Sequence, residues 1–400
     1  MKRGLTVLAC AIAIAIAGTA WGHEDGEGSV PLDEIRQVMR EHALHPPAES
    51  VLEGLSAANF ERELRALDPH ARYFPAGTWR SPMLSRDAWV GIGAGLVFQQ
   101  DGVMLLPYQG GGAALAGVVE GMWLLEVDGL SVTGVAPAEL LRLLRGTEGS
   151  TVTLTLLPPG LNAAPVRLTM VRERFRPLDV ELVDASGQRI VRVRDFVGGL
   201  TRPALLATLD FVLAASPPSA EGAAPLILDL RDSGGGDLYE ALDMAALFLP
   251  AGAVLGSMQG PDGRSTVFHA PPGGKVDFPM VLWVGPETAS AAEVFAGALQ
   301  YHGRAKIVGR PTFGKCSSQR DVGLSDGSVL RLTNRMVWLP GGESCADVGI
   351  QPDRVVGTAM LRDPSRLLAV SMALRHGRGA KVPPPRAEPD APAALHQEMF

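Results

Sequence analysis

The stretch Leu226-Ile227-Leu228-Asp229-Leu230 is apolar at every position but one. It runs directly into Arg231-Asp232-Ser233 and three glycines, Gly234 to Gly236. An apolar run of this length reads as a strand buried on both faces, the mark of a parallel sheet covered by helices on each side. The flanking sequence agrees. Ile190 to Val193 and Met280 to Val284 are further strand candidates, while Pro203 to Ala214, Leu238 to Leu249 and Ser290 to Tyr301 carry helical patterns. Strands alternating with helices in this way predict an α/β fold with right-handed crossovers from about residue 173. Ile307-Val308 and Ser328 to Trp338 supply later strands.

At 400 residues the chain is too long for that fold alone. Residues 88–172 have a different texture of short apolar runs punctuated by glycine. Gly91-Ile92-Gly93 precedes Leu96-Val97-Phe98, Val103 to Leu106 follows, and Trp123 to Val127 leads into the turn signal Asp128-Gly129. One helix, Pro137 to Leu144, and an alternating strand, Thr151 to Leu157, complete a small β-rich module. Ahead of it, Leu32, Ile35, Val38 and Met39 recur at helical spacing. Val51, Leu55, Phe60, Leu64 and Leu67 mark a second helical stretch beyond Pro46-Pro47. Residues 23–87 therefore read as a helical arm, whose segment 31–67 is a candidate dimerisation element.

The first 22 residues read as a cleaved export leader: Lys2 and Arg3, an apolar run from Leu5 to Ala17, then Ala20-Trp21-Gly22. The mature chain is expected in the periplasm or otherwise exported. Removing Lys2 and Arg3, with no acid in the leader, takes the net charge from -7 to -9. With no basic stripe either, nucleic acid is excluded as a partner. Export also leaves two cysteines, Cys316 and Cys345, in an oxidising compartment. A disulfide and a pair of free buried thiols are both open on the sequence. Residues 361–400 read as a C-terminal helix followed by a disordered Pro/Ala-rich tail.

Ser290 stands where the strand Met280 to Val284 gives way to a helix, a place where unpaired backbone N–H groups and the positive helix end converge. Such donors favour the oxyanion formed when a hydroxyl attacks a carbonyl, although an ordinary N-cap serine fits the same pattern. None of the eight histidines sits in a triad context; His302 lies at the far end of the Ser290 helix, and His70 and His269 read as loop residues. Lys315, in Thr312-Phe313-Gly314-Lys315, is the alternative base, provided burial holds it neutral. Ser-x-x-Lys and His-Glu-x-x-His motifs and the phosphate-loop ending are absent from the sequence, and no metal site is expected.

Taken together, the blocks Leu226 to Gly236, Thr288 to Glu293 and Gly309 to Gln319 resemble those of the carboxy-terminal processing peptidases, also called tail-specific proteases. Leu67-Asp68-Pro69-His70 is similar to a block that precedes them, and residues 88–172 are similar to that family's PDZ domain. The resemblance implies a crotonase/ClpP-like α/β protease core at 173–360 and a Ser/Lys-dyad serine endopeptidase that needs no cofactor. Ser290 would be the nucleophile, Lys315 the general base and Gln319 the residue that positions it. Ala291, Gly234 and Gly235 would form the oxyanion hole. Gly91, Ile92 and Gly93 would receive the C-terminus of a protein or peptide substrate, and Arg172 would couple the PDZ domain to activity.

Three departures from the family pattern stand out. Asp232-Ser233 replaces the usual asparagines, Cys316 replaces the glycine after the lysine, and Val118-Val119-Glu120-Gly121-Met122 lacks the acid common after that glycine. A Cys316–Cys345 bond would pin the lysine loop. A catalytically silent PDZ scaffold on a protease-like core is the alternative reading, as is a small-acyl hydrolase on a related crotonase-like core. An activator or adaptor protein and a homodimer are the partners the sequence leaves open.

Overall fold

The computed structural model describes residues 30–79, 89–99, 102–160, 163–185, 188–215, 224–273 and 279–374. The leader and the Pro/Ala-rich tail lie outside them. No helix among the described residues is long and apolar enough to cross a membrane.

The arm comprises α1 (Leu32–His42), α2 (Glu49–Glu53), α3 (Phe60–Leu67) and the short β1 (Arg72–Phe74). The single helical stretch expected over 51–67 is broken in two, because Asn59 bonds locally: its amide donates to Gly54 O at 3.0 Å and accepts from Ser56 N at 2.7 Å.

The β-rich module follows, with β2 (Trp89–Gly91), β3 (Ala94–Gln99), β4 (Gly102–Pro107), α4 (Gly112–Leu115), β5 (Trp123–Val127), β6 (Leu130–Ser131), α5 (Pro137–Leu144), β7 (Thr151–Leu157), β8 (Val166–Val171) and β9 (Glu173–Phe175). β2 pairs with β9 and ties entry to exit. The other strands form one antiparallel sheet in the order β3-β4-β5-β7-β8, which leaves β3 at an edge.

The core begins with β10 (Val180–Ala185), β11 (Gln188–Val193), α6 (Thr201–Ala215), β12 (Leu226–Asp229) and α7 (Leu238–Ala246). The hairpin β13 (Val254–Gln259) and β14 (Ser265–His269) comes next, then β15 (Met280–Val284), α8 (Ala291–Tyr301) and β16 (Lys306–Gly309). β17 (Ser317–Gly323), β18 (Val329–Trp338), β19 (Arg354–Val355), α9 (Thr358–Leu361) and α10 (Pro364–Ala373) end the described chain. The main sheet has the order β10-β11-β12-β15-β16-β19, parallel from β11 onward.

Both faces of this sheet are covered, as the continuous apolar runs require. Alternate residues of β12 and β15 (Leu226, Leu228, Met280, Leu282, Val284) pack with α6, α7 and α8. The intervening Ile227, Val281 and Trp283 pack against Leu367 and Leu368 of α10. The buried Trp283 indole donates to Ser371 Oγ of α10 at 2.9 Å, so its one polar atom is satisfied.

A second sheet, in the order β1-β18-β13-β14 with β17 on β18, stands beside the first. Ile35, Leu52, Phe60 and Leu64 of the arm bury themselves on Leu330 and Leu332 of β18. These apolar side chains of the arm are therefore covered within the chain.

Candidate active site

β15 ends at Val284, and within six residues the backbone reverses into α8. Ser290 occupies that elbow with φ 58° and ψ −123°, a conformation few non-glycine residues adopt. An ordinary N-cap sits in the extended region, so this serine is held by its surroundings at a cost of about 1–3 kcal/mol. Two contacts from the β12 side do the holding. Ala289 N donates to Ser233 O at 3.0 Å, and Thr288 Oγ1 donates to Leu230 O at 2.7 Å.

The turn after β12 lies directly against the elbow. Gly235 has φ 93°, and a Cβ placed there would stand 2.5 Å from Ala289 O, 2.8 Å from Ala291 N and 2.9 Å from the Ser290 Cβ. Only glycine fits. Among the described residues, no hydrogen bond takes up the N–H of Ala291, Gly234 or Gly235. Ala291, at the N-terminus of α8, and Gly235 thus stand beside Ser290 with unspent donors, and Gly234 precedes Gly235 in the same turn.

Lys315 lies in the loop between β16 and β17. A buried carboxylate joins that loop to the serine elbow. Glu293, one turn into α8 and fully buried, accepts from Ser290 N at 2.8 Å and Lys315 N at 2.7 Å through Oε2. Its Oε1 accepts from Thr312 Oγ1 at 2.5 Å and Gly314 N at 2.7 Å. The opposite side of the lysine loop is closed by the 345–350 segment. Cys316 and Cys345 lie at disulfide distance, Cα to Cα 5.3 Å, and Asp347 N donates to Gly314 O at 2.9 Å. Phe313 remains largely exposed next to the lysine.

Burial lowers the Lys315 pKa from its ordinary value, and the Arg331 cation adds to the effect; Glu293 and Asp68 pull the other way. Deprotonation is thereby brought nearer to neutral pH. Gln319 donates to Ser317 Oγ at 3.0 Å and Thr333 Oγ1 at 3.2 Å. Among the hydrogen bonds of the described residues, none joins Lys315 Nζ to Ser290 Oγ or to Gln319.

Sequence reasoning missed two further neighbours. Asp68 accepts from Thr333 N at 2.7 Å, Thr333 Oγ1 at 3.0 Å and His70 N at 2.9 Å, linking the arm to the Gln319 strand pair. His70, expected as a loop residue, lies within electrostatic reach of Lys315. Burial lowers its pKa and the Lys315 charge lowers it further. The only signal in the sequence was the Leu67 to His70 block itself.

A cleft of about 540 Å³ lies between the β-rich module and the turn after β12; neither Ser290 nor Lys315 lines it. Gly91, Ile92 and Gly93 line one end, the β3 edge and Leu141 and Leu144 of α5 form its sides, and Asp232 and Gly234 of the turn line the other end. Arg172 is not part of the cleft wall. Its guanidinium is spent inside the module, on Leu143 O at 2.8 Å, Leu144 O at 3.2 Å and Thr151 O at 2.6 Å.

The α/β core thus carries a strained serine at a strand–helix elbow and a lysine loop tied to it through Glu293. Residues 191–356 match the model of Peptidase family S41. A carboxy-terminal-processing protease of Bartonella bacilliformis is 29% identical over 73% of this chain and 67% of its own length. A carboxyl-terminal-processing protease of Picosynechococcus is 29% identical over 72% and 70%. The solved photosystem II D1 C-terminal processing protease aligns with TM-score 0.57 and 25% identity over 82% of this chain and 92% of its own. The expected resemblance to the carboxy-terminal processing peptidases is met.

Proposed function

We propose that this protein is an exported serine endopeptidase that cleaves C-terminal regions of protein substrates, with Ser290 as nucleophile and Lys315 as general base. The observation that carries the reading is the Glu293 carboxylate, which fixes the backbone of both residues from one buried point. Lys315, in the neutral form that its burial favours, takes the Ser290 hydroxyl proton as Oγ attacks the scissile carbonyl. The N–H groups of Ala291 and the Gly234–Gly235 turn receive the oxyanion. Collapse breaks the C–N bond, Lys315 returns the proton to the leaving amine, and water releases the acyl group. The Ser290–Lys315 hydrogen bond missing from the free protein forms as substrate fills the cleft, in keeping with the looser geometry of unliganded sites.

In this reading the β-rich module acts as a PDZ domain. β3 is an edge strand beside the cleft, so a substrate tail adds to it as a further strand with its carboxylate at Gly91-Ile92-Gly93. The apolar side chains of Leu96, Leu141 and Leu144 favour an apolar C-terminal residue. Gln319 positions the lysine side chain, and the leader at 1–22 supports export. The test is incubation of the mature protein with an unfolded protein substrate alongside Ser290→Ala and Lys315→Ala. Cleavage by the wild type alone is expected. Absence of cleavage even with apolar-tailed peptides added would favour the silent scaffold.

A further inference from the structure

A charged side chain of the β-rich module crosses into the core, and it is not Arg172. Glu120, in the turn between α4 and β5, places Oε2 2.7 Å from Arg192 Nη2 on β11 and Oε1 3.1 Å from Arg231 Nη1 just beyond β12. The second contact is an ion pair without hydrogen-bond alignment. Both arginines also hold Asp229, Arg192 at 3.0 Å and Arg231 at 2.8 Å. Glu120, Arg192, Asp229 and Arg231 thus close a ring of alternating charge, with Arg231 fully buried at its centre. Burial opposes ionisation of Glu120, yet Arg231 and Arg192 outweigh it and keep the carboxyl below its ordinary pKa. The ring is neutral only while the module contributes its carboxylate.

Arg231 opens the turn that runs through Asp232 and Ser233 to Gly234 and Gly235. Its guanidinium donates to Leu361 O, and Asp232 pairs with Arg362, so the turn is also held from the α9 side. Ser233 O in turn accepts from Ala289 N, and Gly235 sits so close to the Ser290 elbow that a Cβ there would clash with it. The path from the module to the elbow therefore consists of contacts between buried, charged or close-packed groups throughout.

We propose that Glu120 is a positioning residue for the reaction: it seats the β-rich module on the core and, through Arg231, sets the Gly234–Gly235 turn beside Ser290. This inference rests on the peptidase reading. Rigid networks of this kind carry couplings of a few-fold to tens-fold in rate. The test compares wild type, Ser290→Ala, Glu120→Gln and Glu120→Asp on a short fluorogenic peptide that has no docking tail, so tail binding does not enter.

The expected result is a kcat about tenfold lower in Glu120→Gln with KM changed less than twofold. Thermal denaturation should show the variant folded at the assay temperature, since a merely structural loss would lower the active fraction instead. Glu120→Asp keeps the charge on an arm one methylene shorter. It is the variant to rely on should the Gln variant fail to fold, and it too should lose kcat. Wild-type kcat in a folded Gln or Asp variant overturns the coupling. Cleavage that persists in Ser290→Ala overturns the peptidase reading instead.

Discussion

Replacing Glu293 perturbs the serine and lysine loops together while touching neither side chain. Its carboxylate takes four donors in a fully buried site: Ser290 N, Thr312 Oγ1, Gly314 N and Lys315 N. Hydrogen bonds to a charged acceptor contribute about 1.5–3 kcal/mol each by deletion, and breaking a buried ionic site costs about 3–5 kcal/mol net. Glu293→Ala would consume much of a typical domain's stability of about 5–15 kcal/mol and is a poor probe. Glu293→Gln keeps the shape. Its NH2 group cannot accept, and in either amide orientation it faces at least one backbone N–H, from Gly314 or from Ser290 and Lys315. The expected destabilisation is about 2–3 kcal/mol, read as a lower urea midpoint at unchanged slope. A shift of about 1 Å between nucleophile and base lowers turnover about a hundredfold, so kcat on an unfolded substrate should fall on that order with KM nearly constant. Turnover within twofold of wild type in the folded Gln variant would refute the idea that this carboxylate aligns the two loops.

Three other outcomes follow from the same geometry. Gly235→Ala forces a methyl group against Ala289 O and the Ser290 Cβ and should abolish cleavage in a folded protein, whereas Gly234→Ala, with nothing within 4 Å of its Cβ, should fold normally. Reduction, or Cys316→Ser with Cys345→Ser, frees the lysine loop from the 345–350 segment. Activity should fall several-fold and stability by about 2–4 kcal/mol, followed by assay and urea melt with and without reductant. Because the Lys315 pKa is lowered, kcat/KM should rise with pH and reach half-maximum below the ordinary lysine value. The unfolded chain binds the proton more tightly, so stability also rises with pH between the folded and ordinary values. Lys315→Met should therefore raise the urea midpoint at pH 7, a gain that shrinks as that window is crossed.

The parallel sheet was readable because burial on both faces forces continuous apolar runs, as in β12 and β15. Of the second sheet, β18 was readable as the strand Ser328 to Trp338, but the strands around it were not. β14 is mostly exposed and β17 reads Ser-Ser-Gln-Arg-Asp-Val-Gly, so the pairing of β14 with β13 and of β17 with β18 rests on backbone register and leaves no periodic trace. The site divides in the same way. Ser290 and Lys315 were found from local context and block spacing. Glu293 looked like the first turn of a helix, because its partners Thr312 to Lys315 lie about twenty residues away. Asp68 and His70 come from the arm and meet Thr333 and Lys315 only through the packing of α3 and β1 onto β18. Glu120 followed an apolar pair and preceded a glycine, which gave no hint of two buried arginines across the module boundary.

The most direct measurement is the intact mass of the mature protein quenched in acid during turnover of a peptide ester. The mechanism predicts an increment equal to the acyl portion, mapped by digestion to Ser290 and absent from Ser290→Ala. An acyl group on any other residue, or undiminished turnover by Ser290→Ala, would contradict it.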